Sequence, residues 1–246
     1  MEIKEYCLLY DLEETYWWYV ALRDIVFSYI GKIAKGRNSL KFLDAGCGTG
    51  ILLSLLSGHK AFGFDISDDA LQFCRKRNLT SLVQASACNI PYKGGSFDIV
   101  SSIDVIYHLR IKSDEEALAE INRVLKKGGY LILHASAYDS FRGKHDRAVH
   151  TRHKYTAKEV KEKVEKAGFE IEKLTYRNTL LFPMILIKRL LERIDFGPQR
   201  EKESDLKEIP GFINKVFAGI TKAENKLLGF VDFPFGSSIF CVARKI

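Results

Sequence analysis

Short apolar runs alternate with longer helical patterns between about residue 40 and residue 178. The runs LKFLDA, KAFGFDI, SLVQA, FDIVSSI, YLILHAS and FEIEKLTYRN have the length and composition of strands, and segments with helical periodicity separate most of them. Because parallel strands need crossover helices, this order predicts a parallel sheet with helices on both faces. With the C-terminal run SSIFCVARKI, the pattern predicts an α/β fold whose seven-stranded sheet is mostly parallel.

The residues outside this alternation divide the chain into four parts. We expect an N-terminal helical cap at 1–36, a core at 37–178, a helical insertion at 179–236 and the final strand of the core sheet at 237–246. The insertion separates the last two strand-like runs by about sixty residues that do not resemble strands. With 246 residues, 46% of them hydrophobic, the chain is long enough to bury a substantial core.

The charge and the cysteine content exclude several classes of protein. The net charge of +7, from 38 basic and 31 acidic residues, is modest and does not indicate a protein that wraps duplex DNA. The five cysteines are an odd number without a CxxC pair, so we expect no disulfide framework and no metal site. Without a leader or an uncharged apolar run of about 20 residues, we expect a cytoplasmic protein, with peripheral membrane contact as an alternative.

A glycine-rich turn, LDAGCGTGIL at residues 43–52, joins the first strand to its helix. Its glycines recur at every second position, whereas the dinucleotide motif GxGxxG requires a glycine where Ile51 stands. Asp44 at the end of the strand suits a ligand with an ammonium or sulfonium group. Asp65 ends the second strand about twenty residues later, where a carboxylate can accept both hydroxyls of a ribose. These features favour a cationic, ribose-containing ligand over a dinucleotide.

Four ordered segments carry a family resemblance: LDAGCGTG, FGFDIS, IPYKGGSFDIVSSIDVIYHL and EINRVLKKGGYLIL. In this order and spacing they resemble the class I S-adenosylmethionine-dependent methyltransferases. The resemblance implies a Rossmann-like fold, S-adenosyl-L-methionine as the cofactor and methyl transfer as the reaction. The chain looks most like the small-molecule branch that includes the ubiquinone and menaquinone methyltransferases. The N-terminal YWW and the block that begins RHKYTAKEV also resemble uncharacterised members associated with polysaccharide or lipid-linked glycan pathways.

The resemblance assigns roles to the residues that match the motifs. The pocket for the methionine part of the cofactor would be formed by residues of the turn, namely Asp44, Gly46, Cys47, Gly48 and Gly50. Asp65 would bind the ribose, and Ile66 would lie against the adenine. Where many members have an acid for the adenine amino group, this chain has Ser86, so the Ser86 hydroxyl and the backbone of Ala87 are expected to meet the adenine. The methyl group would be flanked by two further residues, Asp104 and Val105.

His108, just after the fourth strand, is the first candidate for a catalytic residue. Methyl transfer from a sulfonium is an in-line displacement in which alignment can supply on the order of 7 to 11 kcal/mol of the barrier. A general base contributes less, and His108 would act as that base for an oxygen or acidic-carbon acceptor. A histidine that only packs at the start of a helix is the alternative.

A basic loop at residues 141–154 follows the fifth strand and has a net charge of +4. It holds one acid, Asp146, and five basic residues, namely Arg142, Lys144, Arg147, Arg152 and Lys154. Ligands of open α/β sheets lie beyond the carboxyl ends of the strands, so we expect this loop to overhang the acceptor. The charge predicts an acceptor with phosphate or carboxylate, contacted by Arg152 and by His145 as the second catalytic candidate. A solvated loop is the alternative.

The aromatic residues at 16–19 are expected in an N-terminal helix over the mouth of the cofactor site. Trp18 and Arg23 from this helix, together with Tyr138 after the fifth strand, are the remaining predicted substrate contacts. A mobile cap of this kind would exclude water during transfer. Packing alone is the alternative explanation for the aromatic residues.

The acceptor stays open between several classes. We expect O- or C-methylation of a small-molecule or lipid-linked acceptor, and Phe230, Phe233 and Phe235 of the insertion would suit contact with a membrane. A nucleic-acid acceptor is expected to be unlikely, because SSID stands where an NPPY-like tetrad would be and no Pro-Cys pair follows. RNA methylation is nevertheless the main rival activity, since the basic loop could contact phosphates. A regulatory subunit that binds the cofactor without transferring methyl groups is the non-enzyme alternative, and the oligomeric state stays open.

Overall fold

The computed structural model describes residues 2–141, 146, 150–187 and 209–246. Two N-terminal helices precede an alternation of strands and helices, as the sequence predicts. In chain order the elements are α1 Ile3–Leu12, α2 Trp17–Ala34, β1 Lys41–Ala45, α3 Ile51–Ser54, β2 Lys60–Asp65, α4 Asp68–Lys76, β3 Leu82–Gln84, β4 Phe97–Ile103, α5 Asp114–Val124, β5 Leu125–Ser136, α6 Ala157–Lys166, β6 Phe169–Arg177, α7 Gly211–Leu227 and β7 Ser238–Lys245. Residues 182–187 are also helical.

Within the described residues, seven strands form one sheet in the order β3-β2-β1-β4-β5-β7-β6. Strands β1 to β5 pair in parallel, and β7 lies antiparallel between β5 and β6. The order of the strands reverses between β1 and β4, and open sheets of this kind bind ligands at the carboxyl ends of such a pair. The predicted α/β class with a mostly parallel seven-stranded sheet is confirmed.

Helices cover both faces of the sheet and bury an apolar core on each side. On one face α5 and α6 contribute Leu118 and Val160, both fully buried. On the other face α2, α3 and α4 contribute Ile25, Leu53 and Leu71. Because both faces are covered, the central strands are apolar along their length rather than alternately polar and apolar.

Helix α5 is followed directly by a strand. Its N-cap is Ser113, whose Oγ accepts a hydrogen bond from Glu116 N at 3.1 Å. The helix ends at Val124, because β5 already starts at Leu125 and pairs there with β4. Lys126 Nζ also donates to a carboxylate oxygen on β4. Tertiary pairing therefore overrides the helical pattern of LKKGG.

The insertion packs on the N-terminal helices through α7. Asn214 Oδ1 accepts a hydrogen bond from Trp17 N at 2.8 Å, so a side chain of α7 caps α2, whose own N-cap residue Tyr16 makes no side-chain cap bond. Asn225 Nδ2 donates to the carbonyl oxygen of Ala21 at 2.7 Å. None of the described helices is long and apolar enough to span a bilayer.

Candidate functional site

A cavity of about 700 Å³ lies at the carboxyl ends of β1, β2, β4 and β5. The glycine turn after β1 and the ends of the strands form one part of its wall. The other part comes from α1, α2, residues 182–186 and α7. The cavity therefore lies at the topological switch point of the sheet, where the sequence predicts the ligand.

The glycine turn brings backbone close to this cavity. Gly46 and Gly48 have φ of +75° and +54°, in the left-handed region that glycine adopts readily. A Cβ on Gly46 would collide with the side chain of Val105, whereas a Cβ on Gly48 would meet nothing within 4 Å. Both glycines, Val105 and Cys47 line the cavity. The turn thus leaves open space beside Gly48 for a ligand.

Asp44 is buried at the end of β1 and lines the same part of the cavity. Its Oδ1 accepts a hydrogen bond from Ser101 Oγ at 2.5 Å. Burial raises the pKa of Asp44 to about 7, and the negative charge of Asp65 also raises it. A cation bound beside Asp44 would favour the ionised carboxylate, because the protein itself supplies little compensation for its charge.

Asp65 lies at the end of β2, and its carboxylate forms a hydrogen bond with the glycine turn. Its Oδ2 accepts a hydrogen bond from Gly48 N at 3.0 Å, and its Oδ1 accepts one from Ser67 N at 2.9 Å. Burial raises the pKa of Asp65, while these backbone bonds oppose the rise. Each oxygen keeps a second lone pair, so the carboxylate can still accept ribose hydroxyls. The predicted adenine contacts Ile66 and Ala87 also line the cavity.

Two residues of the predicted cofactor set lie outside the lining of the cavity. Gly50 has φ of +81°, and a Cβ there would overlap the side chains of Leu79 and Cys74, so its role is close packing against α4 and the turn that follows it. Ser86 Oγ accepts a hydrogen bond from Cys88 N at 3.2 Å in a local turn. The structure does not favour a direct ligand contact for either residue, and their cofactor roles stay predictions.

Asp104 lies at the end of β4 and has φ of +60°, which is unusual for a residue other than glycine. Its Oδ1 is 3.0 Å from His134 Nδ1 on β5, and since an ionised carboxylate only accepts, the imidazole donates. Burial raises the pKa of Tyr107, and the negative charge of nearby Asp104 raises it further. Asp104 and its neighbour Val105 line the cavity, as predicted residues of the methyl site.

His108 lines the cavity, but its hydrogen bonding does not suit a general base. Its Nδ1 accepts a hydrogen bond from Arg110 N at 3.1 Å. Burial lowers the pKa of His108 to about 4, so the ring is neutral at pH 7 and carries its proton on Nε2. The role of His108 as a general base stays a prediction, which this hydrogen bond does not favour. The other catalytic candidate, His145, lies outside the described residues.

The two predicted substrate contacts of α2 both line the cavity. The Trp18 ring lies edge-on to His134, with 6.5 Å between the ring centroids. The Arg23 guanidinium donates to the carbonyl oxygens of Glu13 and, at 3.1 Å, of Glu14. Arg23 therefore stabilises the corner between α1 and α2, as cations at the C-terminal ends of helices do.

A buried carboxylate ties this corner to the glycine turn. Glu13 is 2% exposed, and its Oε1 accepts hydrogen bonds from Thr49 Oγ1 at 2.5 Å and from Arg77 Nη2 at 2.9 Å. Arg77 Nη1 also donates to Glu14 Oε1 at 2.7 Å. The cap is thus fastened to the turn that the cofactor is expected to touch.

The described cations of the basic loop are paired with acids. Lys154 Nζ lies 2.8 Å from Asp146 Oδ1, and Arg152 Nη2 lies 3.4 Å from Asp114 Oδ1. Lys154 lines the cavity, whereas Arg152 does not. Three of the five cations predicted to face the acceptor, namely Arg142, Lys144 and Arg147, lie outside the described residues. The described part of the loop therefore offers less positive charge than its composition predicts.

The predicted contact Tyr138 lies outside the lining, because its ring stacks on Tyr176 at 5.2 Å between centroids. Three residues outside the predicted set bear on the cavity: Glu13 and Tyr107 line it, and His134 contacts Asp104. Only His134 carried a local signal, as a lone histidine within the apolar strand YLILHAS. The others depend on contacts between distant segments.

The residues at the glycine turn fit the implied cofactor, S-adenosylmethionine. Gly48 leaves space for a close approach of the ligand to the backbone. Asp44 is a buried carboxylate whose ionised form a sulfonium or ammonium would stabilise. Asp65 has acceptor capacity left for two hydroxyls. The donor set thus matches a cationic nucleoside.

Residues 43–133 match the family model described as a methyltransferase domain. The matched region runs from β1 into β5 and contains the glycine turn, Asp65 and Asp104. This part of the chain is thus similar to a methyltransferase domain, and the predicted cofactor, S-adenosyl-L-methionine, is confirmed.

Two curated relatives are similar over a comparable length. A tRNA (carboxymethyluridine(34)-5-O)-methyltransferase from Arabidopsis thaliana is 37% identical over 92 residues, which cover 37% of this chain and 22% of that protein. An uncharacterized protein from Methanocaldococcus jannaschii is 38% identical over 99 residues, which cover 39% of this chain and 38% of that protein. The chain thus spans well under half the length of either relative.

A solved structure is similar over nearly the whole chain. It is a SAM-dependent methyltransferase from Thermotoga maritima, described as a possible histamine N-methyltransferase, with a TM-score of 0.58 and 18% identity. The alignment covers 99% of this chain and 96% of that chain. At this identity the likeness concerns the fold alone, and it confirms the predicted Rossmann-like class I methyltransferase fold.

Proposed function

We propose that this protein transfers a methyl group from S-adenosylmethionine to a small-molecule acceptor. The observation that carries the proposal is a single cavity lined by the glycine turn, by Asp104 and by the aromatic residues of α2. The donor would lie by Asp44 and Asp65, and the acceptor would lie by Trp18. A volume of about 700 Å³ falls within the range of small-molecule sites, so donor and acceptor would have to be compact.

The protein's main contribution would be binding and alignment. When bound, the sulfonium supplies a methyl group that is already activated for displacement, so correct placement supplies much of the rate. Asp65 would accept hydrogen bonds from the ribose, and Asp44 would balance the positive charge of the ligand. The cap formed by α1 and α2 would keep water away from the reacting groups.

At the acceptor end, Asp104 would orient the acceptor and accept a proton from it. The hydrogen bond with His134 holds this carboxylate in one position. His108 would donate a hydrogen bond from Nε2, because its Nδ1 already accepts one.

Three more specific predictions stay proposals: the anionic acceptor, the membrane contact and the branch of methyltransferases that the chain resembles. The expected anionic acceptor loses support, because the cations described in the basic loop are already paired. Peripheral membrane contact is supported only by apolar residues exposed on and after α7, such as Phe212, Phe230 and Phe235. The likeness to the quinone and glycan pathway enzymes stays a prediction.

Two measurements test the proposed function. Calorimetry should detect binding of S-adenosylmethionine, and Asp65→Ala should weaken it about 10- to 100-fold, as expected for a lost hydrogen bond to a charged group. Tritiated methyl transfer into fractionated cell extract should then label the small-molecule fraction. Absence of cofactor binding to the folded protein would rule out the proposed activity.

Methylation of RNA is a second candidate, because several curated relatives are named tRNA methyltransferases. An RNA acceptor would have to extrude a nucleotide into the cavity beside Asp104. Ribonuclease-sensitive label in the RNA fraction would replace the small-molecule acceptor by RNA. Binding that weakens steeply with salt would accompany that outcome.

A further inference from the structure

We infer that the acceptor is an amine, which binds as a cation between Asp104 and the aromatic rings of the cavity and is methylated on nitrogen. The inference rests on the proposed methyl transfer and names the substrate class of the same site. It follows from the placement of a carboxylate among aromatic side chains at one end of the cavity.

The acceptor end of the cavity is rich in aromatic side chains. Trp18 and Tyr19 come from α2, Tyr107 comes from the segment after β4, and all three line the cavity. Trp17 extends this group, since its ring centroid lies 5.5 Å from those of Trp18 and of Phe217 on α7. Groups of aromatic rings attract alkylammonium ions through the negative faces of the rings. The wall therefore suits an ammonium better than an anion.

The Asp104 carboxylate lies close to these rings. Its Oδ1 is 3.0 Å from His134 Nδ1, and the Trp18 ring lies edge-on to the His134 ring with 6.5 Å between the centroids. The charge of Asp104 is also the next largest cause, after burial, of the raised pKa of Tyr19 and of Tyr107. Asp104 also lines the cavity, so its carboxylate is within reach of a ligand there. A carboxylate with aromatic neighbours offers an ammonium both a charge partner and a binding surface.

The charges around the cavity favour a cation. The described lining contains five carboxylates and three side chains that are cationic at neutral pH. Two of those cations are engaged, since Lys154 pairs with Asp146 and Arg23 donates to backbone carbonyls. The third, Arg110, is exposed. Two of the carboxylates are engaged as well, since Asp146 pairs with Lys154 and Glu13 pairs with Arg77. Asp44 and Asp65 lie at the donor end, so Asp104 is the carboxylate of the described lining that an acceptor would meet.

His134 fixes one oxygen of the Asp104 carboxylate. The His134 ring is fully buried, and its Nδ1 lies 3.0 Å from Asp104 Oδ1. Asp104 lines the cavity, so its second carboxylate oxygen is the one that a ligand there would meet.

The transfer step balances in atoms and electrons. The ammonium first loses a proton to the Asp104 carboxylate, which passes it to water. The nitrogen lone pair then attacks the methyl carbon of the sulfonium, so that the N–C bond forms as the C–S bond breaks. The electron pair of the C–S bond stays on sulfur, which leaves as a neutral thioether, and the methylated amine carries the positive charge.

Two probes of equal shape test the charge requirement. Choline and 3,3-dimethylbutan-1-ol differ in a quaternary nitrogen against a quaternary carbon, and neither has an amine to methylate. Calorimetry on protein saturated with S-adenosylhomocysteine should show choline binding at least tenfold more tightly than the neutral alcohol. Equal affinities, or no binding of choline, would overturn the amine acceptor.

Two variants test whether choline binds beside Asp104 and Trp18. Asp104→Asn and Trp18→Leu should each weaken choline binding at least fivefold while the affinity for S-adenosylhomocysteine changes less than twofold. Asp11→Asn, which removes an exposed acid outside the cavity, should change neither affinity. If Asp104→Asn does not fold, Trp18→Leu gives the same readout. Unchanged choline binding in the folded variants would refute the site.

Failure of this inference can be told apart from failure of the proposed function. If the cofactor binds and tritium enters a molecule without an amine, methyl transfer stands and the amine acceptor is refuted. If choline does not bind and S-adenosylmethionine binds far more tightly than S-adenosylhomocysteine, the rings and Asp104 serve the sulfonium instead. If neither cofactor form binds, the proposed function itself fails.

Discussion

The two ends of the cavity are built in different ways. The donor end consists of one turn and the ends of two adjacent strands, and its contacts are largely hydrogen bonds to backbone, such as Gly48 N to Asp65. The acceptor end combines α2, the segment after β4, β5 and α7, and its polar contacts join side chains, such as His134 and Asp104. A site encoded in one short stretch can be read from a motif, whereas a site assembled from distant segments cannot.

The largest expected effect concerns the backbone of the donor end. Gly46→Ala should lower the free energy of unfolding by about 4 kcal/mol, from the positive φ and from the collision with Val105. Gly36→Ala is the matched control, because Gly36 has φ of +77° with nothing within 4 Å of a Cβ, and it should cost only about 1 kcal/mol. Urea denaturation measures both.

A second substitution separates the two contributions at Gly46. In a Val105→Ala background, Gly46→Ala should cost nearly as little as Gly36→Ala, because the collision is relieved. An undiminished cost in that background would show that the backbone alone dictates the glycine.

The next effect concerns Glu13, the buried carboxylate that links the corner between α1 and α2 to the glycine turn. Glu13→Ala should destabilise the protein by about 3 kcal/mol, because Thr49 and the buried guanidinium of Arg77 lose their acceptor. Glu14→Ala should cost under about 1 kcal/mol, since that carboxylate is 60% exposed and bonds the same guanidinium from the surface. Thermal and chemical denaturation compare the pair, and equal costs would show that the buried link contributes no more than the exposed one.

A smaller effect concerns the pH dependence of stability and of cofactor affinity that Asp44 causes at the donor end. The pKa of Asp44 in the folded protein is raised to about 7, so its contribution to stability is present at low pH and is lost as the pH rises through 7. A cationic ligand needs the ionised form, so affinity for S-adenosylmethionine should rise about fivefold to tenfold from pH 6 to pH 7.5. Calorimetry at several pH values should show this rise in the native protein and a flatter profile in Asp44→Asn.

The smallest effect is expected at His108. Because its pKa is lowered to about 4, the neutral ring should give no inflection in the pH profile of kcat between pH 5.5 and 8. His108→Gln keeps a side-chain N–H donor and should reduce kcat less than about threefold. If His108→Gln instead lowers kcat by about 10²-fold or more, and the pH profile of the native enzyme has an inflection between pH 5.5 and 8, His108 acts as a general base.

The sequence predicted the donor end almost completely. Asp44, Gly46, Cys47, Gly48 and Asp65 lie together because a strand, a tight turn and the adjacent parallel strand place them so. Gly50 shows what the motif could not predict. It has the expected positive φ, but its missing side chain makes room for Cys74 of α4 and for Leu79 rather than for a ligand.

The acceptor end was predicted only in outline. Trp18 was assigned to the cap, but the pairing of Asp104 with His134 requires knowing that β4 and β5 are neighbours in register. The charge of the basic loop did not reveal that Arg152 and Lys154 pair with Asp114 and Asp146, because these pairs form only in three dimensions. Composition reports how much charge a segment carries, and the fold decides what that charge faces.

The position of β7 has a consequence for how the chain is made. Strand β7 is the last of the seven described strands to be synthesised, yet it lies between β5 and β6. While the ribosome is still translating the residues before it, β6 has no partner strand and β5 keeps one edge open. An exposed strand edge invites pairing with other chains. Nascent protein truncated before residue 238 should therefore depend on chaperones in a way that the finished chain does not.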